Sequence, residues 1–102
     1  MYLTGTMGIR DRLNELRDAI RAAAAASGAR DVRVFGSVAR GEEARDSDVD
    51  LLVRLEPGRT LLDLARLEVR LENLLGRHVD VVTEAGLREP LRSAALREAI
   101  SV

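Results

Sequence analysis

Two aspartates separated by one residue, Asp48 and Asp50, stand at the head of an otherwise apolar stretch of the chain. Aspartate is uncommon in β-strands, and side chains two positions apart in a strand share a face, with Cα atoms about 7 Å apart. Two carboxylates so placed repel each other unless a cation lies between them. Carboxylate oxygens are ligands that Mg²⁺ prefers, so the pair predicts a metal site. The alternative is that both side chains decorate a solvent-facing strand edge.

A third carboxylate, Asp80, is the only charged residue in the apolar run of residues 79–82. A carboxylate inside such a strand is costly unless something pairs with it. If the strands that carry Asp50 and Asp80 are neighbours, Asp80 can lie beside both Asp48 and Asp50. We therefore expect the three aspartates to form one site.

Gly36 and Ser37 lie where a short strand turns into a helical start. Glycine lets the backbone approach a ligand closely, and the amides of such a turn, together with the Ser37 hydroxyl, can donate to an anion. Gly-Ser pairs are common in loops, so this signal is weak by itself. Beside three carboxylates, however, a phosphate cradle predicts Mg²⁺-assisted phosphoryl or nucleotidyl transfer.

The elements that must position these residues form a small α/β sheet with helices packed on it, in the order α-β-β-α-β-α. Apolar residues spaced by three and four predict the helices, and Thr60 with Asp63 forms a variant of the capping box. A helix between the second and third strands permits their parallel pairing. The predicted elements are helix 9–27, strand 31–35, strand 48–55, helix 60–75, strand 78–83 and a helical tail interrupted near Pro90.

The remaining segments are predicted to be connections or packing elements. Residues 37–41 are expected to make one helical turn, residues 42–46 a solvated loop, and residues 1–8 a flexible N-terminus before a single domain over residues 9–102. The tail is interpreted as a packing helix. His78 would share the face of Asp80, but a solvated or capping role is favoured over a role in the site.

Composition excludes several other kinds of function. The 102 residues contain no cysteine, which excludes thiol chemistry. All sixteen basic residues are arginine, and the absence of lysine excludes Schiff-base and P-loop chemistry. The single histidine makes a His-rich zinc site improbable. The net charge of −1 and the aromatic content of 2% argue against direct DNA binding. No apolar run is long enough for a membrane span, and no secretory signal is recognisable, so the expected compartment is the cytoplasm.

Three segments, residues 36–41, 47–51 and 79–82, together resemble the minimal nucleotidyltransferases of the DNA-polymerase-beta-like superfamily. The shared pattern is Gly-Ser, a nearby Gly, then Asp-x-Asp and a later third Asp. The resemblance implies the fold of that superfamily and an intact catalytic centre. It also implies residue roles: Asp48, Asp50 and Asp80 would be catalytic and bind Mg²⁺, and Asp80 would also help to deprotonate the attacking hydroxyl.

The nucleotide-binding residues implied by the resemblance are Gly36 and Ser37, which would hold the β- and γ-phosphates of ATP or another nucleoside triphosphate. Arg40 could touch the triphosphate, although an outward structural role is equally compatible with the sequence. Short members of this family are commonly antitoxins that transfer AMP from ATP onto a tyrosine of a HEPN-domain ribonuclease. The leading hypothesis is therefore an antitoxin of this kind, with a HEPN-domain protein as partner in a homo- or hetero-oligomer.

Two alternatives remain open on the sequence. A catalytically silent module could neutralise its partner by contact alone, although the three aspartates argue against it. A small-molecule nucleotidyltransferase is less favoured, because the chain offers no second domain to hold such an acceptor. We also expect a partner chain to complete the site, because neither aromatic residue is available to stack on a nucleotide base. Phe35 is expected to pack in the core, and Tyr2 lies in the N-terminal segment.

Overall fold

The computed structural model describes residues 8–42 and 47–102, so the predicted N-terminal segment 1–8 and loop 42–46 lie almost entirely outside the described residues. The helices are α1 (Ile9–Glu15), α2 (Arg17–Ala26), α3 (Gly36–Arg40), α4 (Leu61–Leu75) and α5 (Leu91–Glu98), and a 3₁₀ turn spans Glu84–Gly86. The strands are β1 (Ala29–Phe35), β2 (Val49–Leu55), β3 (Val79–Thr83) and β4 (Ile100–Ser101).

The four strands form one mixed sheet in the order β3-β2-β1-β4. Strand β1 runs antiparallel to β2 and to β4, whereas β2 and β3 are parallel and are joined through α4. A parallel pair needs a crossover of this kind, because a tight turn can only reverse the chain. The predicted α/β class, with a small mixed sheet and helices packed on it, is confirmed.

The main core lies between the sheet and the stripes of α1, α2 and α4 that face it. Ile20 of α2, Leu51 of β2 and Leu67 of α4 are almost completely buried within it. Each such side chain contributes about 1.5–3 kcal/mol when removed from water. A smaller cluster of Phe35, Leu52 and Ala95 joins α5 to the opposite side of the sheet, so Phe35 packs in the core as predicted.

Helix α4 begins with a complete capping box. The Thr60 hydroxyl accepts the Leu62 N–H at 3.2 Å, and the Thr60 N–H donates to the Asp63 carboxylate at 2.8 Å. The backbone hydrogen bond holds the pKa of Asp63 below its ordinary value. The predicted cap and start of this helix are therefore confirmed.

The outer side of β3 is hydrogen-bonded by side chains of α4. The Val81 N–H donates to Glu68 at 2.8 Å, and the Val79 N–H donates to Glu72 at 3.1 Å. These amides point away from β2, so the ladder itself cannot satisfy them. The two glutamates thus anchor the crossover helix against the strand that carries Asp80.

Two elements differ from the sequence prediction. The predicted helix 9–27 is divided at Leu16, whose backbone leaves helical values, although the hydrogen bonds from Leu16 to Arg12 and from Ile20 to Leu16 continue across the break. Apolar spacing does not distinguish a straight helix from a bent one. The tail, predicted as helix alone, also contributes the short strand β4, in which Ile100 pairs with Val34. Two residues are too few to show the alternation typical of a strand.

Among the helices of residues 8–42 and 47–102, none has both the length and the apolar character needed to cross a membrane.

Candidate active site

The turn after β1 brings the backbone of Gly36 against the carboxylate of Asp50. Gly36 has a φ of +73°, which side chains rarely allow, and a Cβ built there would lie 2.5 Å from Oδ2 of Asp50. The β1–β2 register pairs Phe35 with Asp50, which explains the close approach. The cradle residues Gly36 and Ser37 and the carboxylate Asp50 therefore belong to one site.

The parallel register of β2 and β3 places Asp50 directly beside Asp80, since the Cα atoms of the two residues are ladder partners. Both residues are half-buried. The expectation that the strands carrying them are parallel neighbours is confirmed. No sequence pattern fixes such a register by itself; the sequence supported only the conditional expectation that Asp80 lies near Asp50 if the two strands are neighbours.

Asp48 lies just before β2, which begins at Val49 rather than at the predicted residue 48, and it is exposed. One ligand atom each of Asp48, Asp80 and His78 lie within 4.8 Å of one another. The structure thus brings Asp48 together with Asp80 and His78, and Asp50 together with Asp80 and Gly36. Asp80 is the residue common to both groups.

His78 takes part in the site more directly than the sequence suggested. Its ring remains exposed at 57%, but Nε2 lies 3.2 Å from Asp80 and Nδ1 lies 2.8 Å from Glu72. Desolvation opposes the charged ring, yet the carboxylates of Asp48, Asp80 and Glu72 together raise the His78 pKa. The available signal was its spacing of two residues from Asp80 on the same strand face, and sequence alone favoured a solvated or capping role instead.

The clustered carboxylates repel one another, so their free energy in the site is unfavourable without a cation. Burial, and then the charges of Asp80 and Asp48, raise the pKa of Asp50, and the positive charges of Arg40 and His78 only partly oppose this. A hard divalent ion would relieve the repulsion, and clustered carboxylate oxygens are its preferred ligands. The donor set fits a Mg²⁺ ion: Asp48 and Asp80, with His78, offer ligand atoms within 4.8 Å of one another, and Asp50 lies beside Asp80 on the neighbouring strand.

A cavity of about 540 Å³ opens in front of these groups. Its polar side contains five of the six predicted site residues, all except Asp48. The polar lining residues are Gly36, Ser37, Arg40, Asp50, Asp80 and Glu98. This arrangement sets a backbone turn and an arginine next to two carboxylates, a combination that could hold a polyphosphate chain together with a metal ion.

The opposite wall of the cavity is apolar and comes largely from the tail. Its residues are Phe35, Val82, Leu87, Leu91 and Ala94. Leu91 is 55% exposed, so this wall is only partly covered by the chain itself. The tail helix was predicted to be a packing element; it does bury Ala95, but it also lines the site, which its weak apolar pattern did not reveal.

Arg40 faces the site. Its Nε donates to Glu42 at 2.8 Å and one of its terminal nitrogens donates to Glu98 at 2.8 Å. The other oxygen of Glu98 accepts the Gly36 N–H at 3.3 Å. Sequence analysis gave two alternatives for Arg40, a triphosphate contact or an outward structural role. The structure places Arg40 on the cavity wall, in ion pairs with Glu42 and Glu98. Glu98 was not predicted, because 62 residues separate it from Gly36.

Comparison with known proteins gives a consistent result. The profile of the family described as nucleotidyltransferase domain matches residues 13–102. The protein adenylyltransferase MntA of Thermococcus cleftensis is 45% identical over 75 residues, covering 74% of this chain and 76% of the relative. A solved structure described as a candidate minimal nucleotidyltransferase is 54% identical, with a TM-score of 0.82 and coverage of 96% of this chain and 99% of the other. A chain of a crystal structure of a toxin–antitoxin with AMP-PNP shares the fold at 21% identity, with a TM-score of 0.64 and coverage of 93% of this chain and 72% of the other.

Proposed function

This chain belongs to the nucleotidyltransferase domain family and is an enzyme of the protein adenylyltransferase type; from that premise we propose that it transfers AMP from ATP onto a hydroxyl of a HEPN-domain toxin and so acts as its antitoxin. The reaction would require Mg²⁺ and would take place in the cytoplasm. The observation that carries the proposal is the contact between the Gly36 backbone and Asp50, with Asp80 as the ladder partner of Asp50.

In the proposed reaction, the acceptor oxygen forms a bond to the α-phosphorus while the bond from that phosphorus to the β-phosphate oxygen breaks. Pyrophosphate leaves, and the hydroxyl proton passes to Asp80. Gly36, Ser37 and Arg40 hold the β- and γ-phosphates, so that the α-phosphate points towards the carboxylates. Bound Mg²⁺ would supply positive charge to the phosphate oxygens as negative charge develops there. Placing the acceptor and the phosphate in one cavity contributes through proximity and orientation.

The partner is expected to contribute the part of the site that this chain leaves open. The apolar wall is partly exposed at Val82, Leu87 and Leu91. Its aromatic ring, that of Phe35, is buried against Leu52 and Ala95, so the wall presents no exposed ring on which a base could stack. A toxin that docks beside this wall would cover it and present its acceptor hydroxyl at the same time. ATP·Mg²⁺ should therefore bind weakly to the isolated chain and more tightly to the complex.

The proposal is tested by incubating the purified protein with radiolabelled ATP, Mg²⁺ and a purified HEPN-domain toxin as the acceptor protein. We expect label on the partner, loss of labelling with a chelator, and loss of labelling in Asp48→Asn and Asp50→Asn. Asp18→Asn is the matched control, because it removes an exposed helix carboxylate outside the cavity. Neutralisation of the toxin without any label would instead indicate a silent binding module, and labelling of unrelated small alcohols would indicate a small-molecule enzyme.

A further inference from the structure

The carboxylate of Glu98 occupies the donors that the proposed function assigns to the triphosphate. Its two oxygens accept the Gly36 N–H at 3.3 Å and the Arg40 guanidinium at 2.8 Å. A carboxylate resembles a phosphate edge in charge and in the spacing of its oxygens, and both groups bind arginine and backbone amides in the same manner. The chain therefore already places an anion in its own phosphate cradle.

The position of Glu98 in the fold is locally unfavourable. It is the last residue of α5, where the helix dipole opposes a negative charge. A residue that breaks a local rule of this kind usually serves a contact elsewhere, and here the contacts are Gly36 and Arg40. The side chain is 26% exposed and lines the open cavity, so it has space into which it can turn.

We propose that Glu98 is an internal competitor of the nucleotide: its carboxylate holds Gly36 and Arg40 in the free protein and must leave them when the polyphosphate chain of a nucleoside triphosphate binds. This inference rests on the proposed function for the identity of the ligand. Glu98 thereby lowers the affinity of the free protein for nucleotide. Arg40 remains oriented by Glu42 after the exchange, since that contact uses a different nitrogen of the guanidinium.

Calorimetric titration of Glu98→Gln tests the inference without an acceptor. The probes are ATP and inorganic tripolyphosphate, each with Mg²⁺. Because the substitution removes the negative charge that competes with the ligand and repels it, we expect both probes to bind at least about fivefold more tightly than to the unmodified protein. Glu84→Gln is the matched control: it removes one charge from the tail region, at an exposed pair with Arg92 outside the cavity, and should leave both affinities unchanged.

A second variant, Glu98→Ala, removes the hydrogen-bonding group as well as the charge and should also bind both probes more tightly. Circular dichroism and thermal melting establish that each variant is folded. The inference would be overturned if both folded Glu98 variants bound the probes with unchanged or weaker affinity. It would also be overturned if neither ATP nor tripolyphosphate bound to any of the variants. If the unmodified protein labels its partner but the variants bind no more tightly, only the inference fails. If the variants bind more tightly but no labelling occurs, only the proposed function fails.

Discussion

Replacing Gly36 by alanine separates the geometry of the site from general backbone strain. The residue has a φ of +73°, and a non-glycine residue in the left-handed region costs about 1–2 kcal/mol. In addition, the new Cβ would lie 2.5 Å from Oδ2 of Asp50, a distance that real Cβ atoms do not tolerate. The Asp50 carboxylate must therefore move, and crowding of this kind typically costs a further 1–3 kcal/mol or so.

Gly41→Ala is the matched control, because Gly41 ends the same short helix with a φ of +74° and its Cβ would meet no described atom within 4 Å. It carries the backbone strain without the contact to Asp50. One kcal/mol corresponds to about 4–8 °C in melting temperature for a domain of this size. We expect Gly41→Ala to melt about 4–16 °C lower than the unmodified protein, and Gly36→Ala to melt lower still.

The activity difference should be larger than the stability difference. A displacement of about 1 Å in a positioned reactive group can cost 10²-fold in rate, so Gly36→Ala should lose about 10²-fold or more in AMP transfer at a temperature where it is fully folded. Gly41→Ala should lose little activity there. The measurements are thermal unfolding and the initial rate of partner labelling. Equal melting temperatures and equal rates for the two variants would refute the contact between Gly36 and Asp50.

Three further predictions concern the ionisation of Asp50 and the cap of α4 formed by Thr60 and Asp63. Asp50→Asn should raise the melting temperature in metal-free buffer at neutral pH, because the fold raises the pKa of Asp50 and the ionised carboxylate therefore destabilises the folded protein. The gain should vanish in acid, where Asp50 is protonated in the unmodified protein. A melting temperature that does not rise at neutral pH would contradict the assigned repulsion. Thr60→Ala should lower the melting temperature by about 4–8 °C through loss of the N-cap. Asp63→Asn should lower the melting temperature only above the depressed folded-state pKa of Asp63, because the stabilisation by the ionised carboxylate is complete above the ordinary aspartate pKa and is lost as the pH falls through the lower value. A melting difference between Asp63→Asn and the unmodified protein that does not depend on pH would exclude the Asp63 hydrogen bond as its source.

The parts of the site that could be predicted from sequence are those in which residue type and local spacing already express the chemistry. Asp48 and Asp50 head an apolar strand and Asp80 interrupts another, so the free-energy cost of placing these carboxylates there can be recognised from the local sequence alone. The local sequence does not reveal the contact of Glu98 with Gly36, because that contact depends on how the tail packs across the sheet. The same applies to β4, which is too short to show a period and forms only because β1 offers a partner.

The hydrogen bonds from Val79 and Val81 to the glutamates of α4 affect how the protein meets other chains. An unpaired sheet edge is a template for strand addition and aggregation. On the β3 side Glu68 and Glu72 occupy the outward amides that an incoming strand would need, and on the other side β4 offers only two residues. The sheet is thus poorly suited to grow by β-augmentation, which directs association towards helix surfaces and the mouth of the cavity.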